Sequence, residues 1–243
     1  MKINNFTVIE SEHGKFILNR HCAYQVDVMI KTGRPHIEEE IQKILSIVKT
    51  LGKNSVFIDA GANTGLISIP VAHAMKNIQG FVHAFEPQRM LAYSLCGSTA
   101  LNDLENLHVY NLALGTEKKT IFSSMPDYQK PQDFGLFNPI ENQEKPTHQT
   151  QYISIDSLQL PRLDFLKIDV EGSELDVLSG AEDSLEKYQP WCWIEFWKIG
   201  VEKIKPHFEH LDYDFYQMDE LNMLCSPKAR MQDTPLNINA KKL

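Results

Sequence analysis

The chain is short of several things that would have settled its class at once. No apolar run approaches the roughly 20 residues needed to cross a bilayer, so no membrane span is expected, and Met1 to Arg20 does not read as a secretory leader. The four cysteines, Cys22, Cys96, Cys192 and Cys225, are scattered, with no CxxC pairing of the kind that holds a metal. They read as reduced thiols, which suits a cytoplasmic protein. Positive charge is also in deficit. Lysine and arginine number 24 against 32 acids, a formal charge of -8, which argues against a broad phosphate-binding face and hence against nucleic acid as partner. There is no internal repeat. What remains, 243 residues with 42% apolar and 23% charged content, fits one large domain or one domain with additions.

The first 20 residues read as a hairpin, "FTVIE" and "FILNR" about a "SEHGK" turn. Ile37, Ile41, Ile44, Val48 and Leu51 follow at helical spacing, giving an amphipathic helix that ends near Gly52. From Val56 the pattern changes to short apolar runs, "VFID", "FVHAF", "LHVYNLAL", "FLKIDV" and "WCWIEF", separated mostly by helical segments. Among these, Ser173 to Tyr188 carries Leu175, Leu178, Ala181, Leu185 and Tyr188 on one face. Buried runs divided by helices predict a parallel sheet covered on both faces. "YDFYQM" and "NMLCS" are joined by too short a link for a crossover helix and should pair antiparallel. The stretch from Ser123 to Gln151 is rich in Pro, Gln, Asn and Asp and lacks periodicity; a loop of that length reads as a functional lid or an insertion.

The run "VFIDAGANTG" ends a strand in a carboxylate and two glycines, Gly61 and Gly65. A dinucleotide fingerprint ending at Gly65 would need glycines at 60 and 62, where the chain has Ala60 and Ala62, so an NAD-linked oxidoreductase is disfavoured. Gly61 is expected to clear space for a ligand against the backbone, and Gly65 to allow close packing of the following helix. The second strand ends in "AFEPQ", and Glu86 stands about where such folds place an acid that accepts two ribose hydroxyls. Turn and acid together point to an adenosine-type ligand. His83 is mid-strand and reads as a hydrogen-bonded core histidine.

In "KIDVEG" strand alternation puts Lys167, Asp169 and Glu171 on one side and Leu166, Ile168 and Val170 on the other. Charges in a central strand are costly unless paired, for instance through a Lys167–Asp169 contact, or unless they face a site. Ser173 reads as a helix cap, with Asp176 in capping-box spacing. Glu195, the charge within "WCWIEFW", either reaches water from its strand end or faces the pocket. Asp156 in "ISIDSL" reads as a helix cap or a pocket residue, and the three tryptophans read as core.

These pieces resemble the FkbM-type S-adenosylmethionine-dependent methyltransferases. "VFIDAGANTG", "VHAFEPQ", "ALNDLENLHVYNLALG", "ISIDSL" and "DFLKIDVEGSELDVLSGAED" match in order over about Val56 to Asp183. The resemblance implies a Rossmann-like class I methyltransferase fold: a seven-stranded, mostly parallel sheet with a carboxyl-terminal antiparallel hairpin and helices on both faces. It implies S-adenosyl-L-methionine as cofactor, bound by Asp59, Gly61, Ala62, Asn63, Thr64, Gly65, Glu86, Pro87 and Asp169. Residues 1–52 would be a cap or extension, and residues 53–243 the methyltransferase domain with an insert at about 123–151. The acceptor would be a hydroxyl on a sugar, glycan or natural product. Proton removal then needs a base: Glu171 first, Asp169 second, with Glu195 beside them. Phe134, Gly135 and Phe137 of the insert either touch the acceptor or pack the loop. No second cluster of ligands like that of catechol-type enzymes accompanies these acids, so no metal is assigned and metal dependence is the lesser reading. An N-methyltransferase and a non-catalytic module that binds the cofactor or a partner are the alternative readings.

Overall fold

The computed structural model describes residues 4–233 and 240–243. The amino-terminal hairpin forms as β1 (Phe6–Ser11) and β2 (Gly14–Asn19), followed by helices α1 (Ala23–Thr32) and α2 (Glu38–Val48). The hairpin lies on α4 (Arg89–Leu101): the Ile17 amide donates to Ser98 Oγ at 2.8 Å, and Asn102 exchanges two bonds with the Lys15 backbone.

The five apolar runs carry the parallel strands β3 (Val56–Ala60), β4 (Phe81–Phe85), β5 (Leu107–Tyr110), β9 (Phe165–Ile168) and β10 (Trp191–Glu195). Their alternation divides the core. Phe57, Phe165, Trp191 and Trp193 face α2 and α3 (Ser68–Met75), with Phe57 and Phe165 stacked at 4.8 Å. Ile58, Leu166, Ile168 and Ile194 face α5 (Glu174–Ser179), α6 (Glu182–Tyr188) and α7 (Val201–Ile204) on the other side. Ile41, Ile44 and Val48 of α2 are buried on the first face, at the expected helical spacing. Pro70 falls in the first turn of α3, where a helix does not need its missing N–H.

β11 (Tyr213–Gln217) and β12 (Asn222–Pro227) form the expected antiparallel hairpin, and β12 also pairs antiparallel with β10. The sheet has eight strands rather than seven, because β13 (Lys241–Lys242) adds a short pairing to the outside of β11, in the order β13-β11-β12-β10-β9-β3-β4-β5. The chain runs outward from β3 to β5 and then returns to β9 on the opposite side of β3. That reversal opens a crevice at the carboxyl ends of β3 and β9, where open α/β sheets bind ligands.

Three expectations are corrected. The run from Leu107 to Leu114 is not one strand: after Tyr110 the chain leaves the sheet, and β6 (Ala113–Leu114) joins a separate sheet in the order β6-β8-β7. In that sheet β7 (Lys119–Ser123) and β8 (His148–Ile153) pair antiparallel, so both ends of the insert are tied and its irregular part is 124–147. The segment from Ser173 to Tyr188 is two helices broken at Gly180. A Cβ there would collide with the Gly115 carbonyl oxygen, so the helix bends where two backbones touch.

Candidate active site

A cleft enclosing about 620 Å³, open mouth included, lies at the carboxyl ends of β3, β4 and β9. Its floor comes from the turns after these strands, and its roof from Gly135, Phe137, Asn138 and Pro139 of the insert; no hairpin residue lines it. Two buried side-chain amides fasten the roof. Gln88 Nε2 donates to the Phe134 carbonyl at 2.7 Å, and Asn138 Nδ2 donates to the Glu171 carbonyl at 3.0 Å.

The glycine turn is held by its own backbone. The Gly61 and Ala62 amides both donate to the Phe85 carbonyl, at 3.0 and 2.9 Å. Gly61 has φ +80, and a Cβ on it would strike the Asp169 carbonyl oxygen. The touch of strand ends β3 and β9 is by itself enough to require glycine here, and the same residue lines the cleft. Gly65 packs most closely against Leu95 of α4 and less closely against Ile69 of α3, the helix it was expected to serve.

The Glu86 side chain is buried beneath the cleft wall. Its Oε2 accepts the Asn63 N–H at 2.8 Å and its Oε1 the Gln88 N–H at 2.7 Å. Burial pushes its carboxyl up to about 7, against the two amides and Lys167, which favour the charged form. Each carboxylate oxygen retains acceptor capacity beyond its one amide, so Glu86 can take two further hydroxyl donors.

Below this floor Asp59 is fully buried, takes a 2.5 Å bond from Ser68 Oγ, and lies 3.2 Å from Lys167 Nζ. Lys167 also reaches Asp169 at 3.3 Å, the contact expected from the sequence, and donates to the Gly61 carbonyl at 3.1 Å. Burial alone would lower the Lys167 ammonium, but Asp169, Asp59 and Glu40 outweigh it and hold it above its ordinary value. Of the nine expected cofactor positions, Gly61, Asn63, Glu86, Pro87 and Asp169 line the cleft. Asp59, Ala62, Thr64 and Gly65 lie outside its lining, beneath or behind it.

Across the cleft, Asp169, Glu171 and Glu195 present oxygens that all lie within 4.8 Å of one another, close enough to share a metal ion. Glu171 has φ 60 and precedes Gly172 at φ 103. The turn is held from inside by Glu174 Oε1, which accepts the Val170 and Gly172 amides. Lys198 Nζ sits 2.7 Å from Glu171 Oε2. Burial raises the Glu171 carboxyl, with Lys198 opposing. Glu195 is pushed up to about 8 by burial and by its neighbours Asp169 and Glu171. It lies behind the cleft lining but against these two acids.

Several neighbouring expectations change. Ser173 makes no capping bond; its hydroxyl faces Asn138, and Glu174 reaches back to the preceding amides instead. Asp156 caps at a distance, accepting the Asp183 and Ser184 amides at the start of α6. Phe134 packs with Cys22 and Leu91, leaving Gly135 and Phe137 to line the cleft. Trp191 and Trp193 are core, but Trp197 is half exposed, with Lys198 against its ring. His83 stacks on His108 and bonds the Tyr110 hydroxyl; burial lowers it to about 4. Gln88, Asn138 and Lys198 were missed altogether. Only Gln88 had a signal, its adjacency to "AFEP".

The strand order, the terminal antiparallel hairpin and the cleft at the switch point define a class I methyltransferase fold. Residues 59–224 match the "Methyltransferase FkbM domain" family, and the chain belongs to that family. It is 27% identical over 195 residues to "Methyltransferase sdnD" of Sordaria araneosa, covering 68% of this chain and 74% of the relative. It is also 27% identical over 151 residues to "Methyltransferase 1" of Beauveria bassiana, covering 54% of this chain and 59% of that protein. Among solved structures it resembles the methyltransferase FkbM from Methylobacillus flagellatus KT, with a TM-score of 0.55 at 17% identity over 72% of this chain and 44% of that one. The chain thus spans less than two thirds of two of these proteins.

Proposed function

We propose that the chain is an S-adenosylmethionine-dependent methyltransferase that methylates a hydroxyl on a sugar, glycan or natural-product acceptor. The observation that carries the reading is the pairing, across one cleft, of the buried Glu86 carboxylate with the Asp169–Glu171 turn. The cleft fits the cofactor. Glu86 has acceptor capacity left for two ribose hydroxyls, Phe85 and Leu114 offer apolar wall, and Asp169 faces the space where a charged methionine end would lie. When bound, the cofactor supplies a methyl already activated on a sulfonium. The chain's task is then to place the acceptor in line and take its proton. Glu171 is the first choice of base, with Asp169 and Glu195 at hand. In this reading residues 1–52 are an extension, residues 53–243 are the catalytic domain, and the insert roofs the acceptor end. The four free thiols accord with a cytoplasmic setting, and the acidic charge speaks against a nucleic-acid acceptor.

Calorimetry with S-adenosylhomocysteine beside NAD tests the reading. Binding of the first alone supports it; binding of NAD, or of neither, overturns it. Affinity should also follow Glu86. The ionised carboxylate is the form that accepts hydroxyl donors, and its elevated range means affinity rises as pH climbs through about 7. Only about a tenth of a group is ionised one unit below its midpoint. Titrations at pH 6 should therefore be about tenfold weaker than at pH 8.

The proposed reaction needs no metal. Two of the three clustered acids already hold an ammonium each, Asp169 with Lys167 and Glu171 with Lys198. Turnover should stay within about twofold after dialysis against a chelator. A loss restored by a divalent ion would reassign the trio as ligands.

A further inference from the structure

Lys167 is the least economical residue in the sheet. A side chain on the second-last position of a central parallel strand is ordinarily apolar on both faces, and Lys167 is almost wholly buried. Its register neighbours are Asp59 on β3 and Trp193 on β10, so the ammonium lies inside the layer, not at its rim. Its ammonium donates a hydrogen bond to the Gly61 carbonyl at 3.1 Å and pairs by charge with Asp59 at 3.2 Å and Asp169 at 3.3 Å. Two of these partners belong to the floor of the cleft, and they come from different strands.

The placement constrains both. The glycine turn is gripped on one side by the Phe85 carbonyl, through the Gly61 and Ala62 amides, and on the other by Lys167 through the Gly61 oxygen. Asp169 has its Oδ2 turned down to Lys167 while its side chain keeps about a third of its exposure on the cleft side. Asp59, anchored by Ser68, completes the shell and has no exposure of its own. Its role is to hold the ammonium in place.

We infer that Lys167 is a positioning residue for methyl transfer: its buried ammonium sets the Gly61 turn and the Asp169 carboxylate in one arrangement that receives the methionine end of the cofactor. The inference rests on the cofactor reading above. It further makes Asp169 an orienting anion tied to a cation, and leaves proton removal to the acids beyond it.

The test compares two ligands that differ only in the part Lys167 serves. S-adenosylhomocysteine carries the amino-acid tail, whereas 5′-methylthioadenosine keeps the nucleoside and lacks that tail. For Lys167→Met, calorimetry should show at least about tenfold weaker binding of the first and less than about threefold change for the second. Removing one partner of a buried pair strands the other charge, so Lys167→Met may be compared only after its melting transition is recorded. The double variant Asp59→Asn with Lys167→Met removes both buried charges and carries the same expected split. Equal affinity of either folded variant and the unaltered protein for S-adenosylhomocysteine overturns the inference. So does a parallel loss of both ligands, which would mark Lys167 as structural support. If the unaltered protein binds neither ligand, it is the cofactor reading that falls, and the inference with it.

Discussion

Replacing Glu86 by alanine is expected to weaken S-adenosylhomocysteine binding by about 100-fold or more, the loss of two hydrogen bonds to a charged group at about 1.5–3 kcal/mol each. The argument rests on burial. Glu86 is 3% exposed, so water cannot replace it as a partner for ribose hydroxyls. The substitution also strands the Asn63 and Gln88 amides, which now end on its two oxygens. Part of the effect will therefore appear as lost stability. Glu86→Gln separates the two contributions, since its carbonyl oxygen keeps one amide bonded while its NH₂ group cannot accept a hydroxyl. Because that NH₂ group meets the other backbone N–H, the Gln variant should melt between the alanine variant and the unaltered protein and still bind weakly. Full affinity in the Gln variant would remove Glu86 from the cofactor site.

Replacing Glu171 by glutamine should instead leave cofactor affinity within about threefold and cut turnover by about 10²–10⁴-fold, the span usual for a general base. The side chain is half of an ion pair with Lys198 and its backbone is held by Asn138 and Glu174. An isosteric amide disturbs little of that frame. Rapid-quench turnover beside calorimetry resolves the two quantities. Unchanged turnover in Glu171→Gln, with loss in Glu195→Gln, would move the proton-accepting role one strand across, to the acid whose carboxyl burial has raised to about 8.

How far these residues could be read from the chain depended on whether their signals were local. The turn after β3, the acid after β4 and the carboxylates after β9 each follow an apolar run directly, which made their place at a strand end legible; alternation did not extend to Glu171, because β9 ends at Ile168 and Glu171 stands in a left-handed turn. The terminal hairpin was legible because its link is too short for a helix. The Lys167–Asp169 contact was legible too, since two residues along one strand share a face. By contrast, Asp59 meets Lys167 only through the register of β3 on β9. Lys198 reaches Glu171 from a loop with no pattern of its own. The break at Gly180 depends on the Gly115 backbone, which the local helical spacing could not reveal. Gln88 and Asn138 fasten the roof with single amides, and an isolated amide in a polar segment looks like any other.

The left-handed backbone at Glu171 has a consequence for how the domain could be altered. A non-glycine residue held at φ 60 carries a conformational cost of about 1–3 kcal/mol. The next residue, Gly172, is already free of that cost. Selection for heat resistance alone would therefore favour glycine at 171 as well, and would discard the carboxylate in exchange for a relaxed turn. The chain keeps an acid where its own backbone prefers none, so in the proposed reaction the strained residue of the turn and the proton acceptor are one and the same.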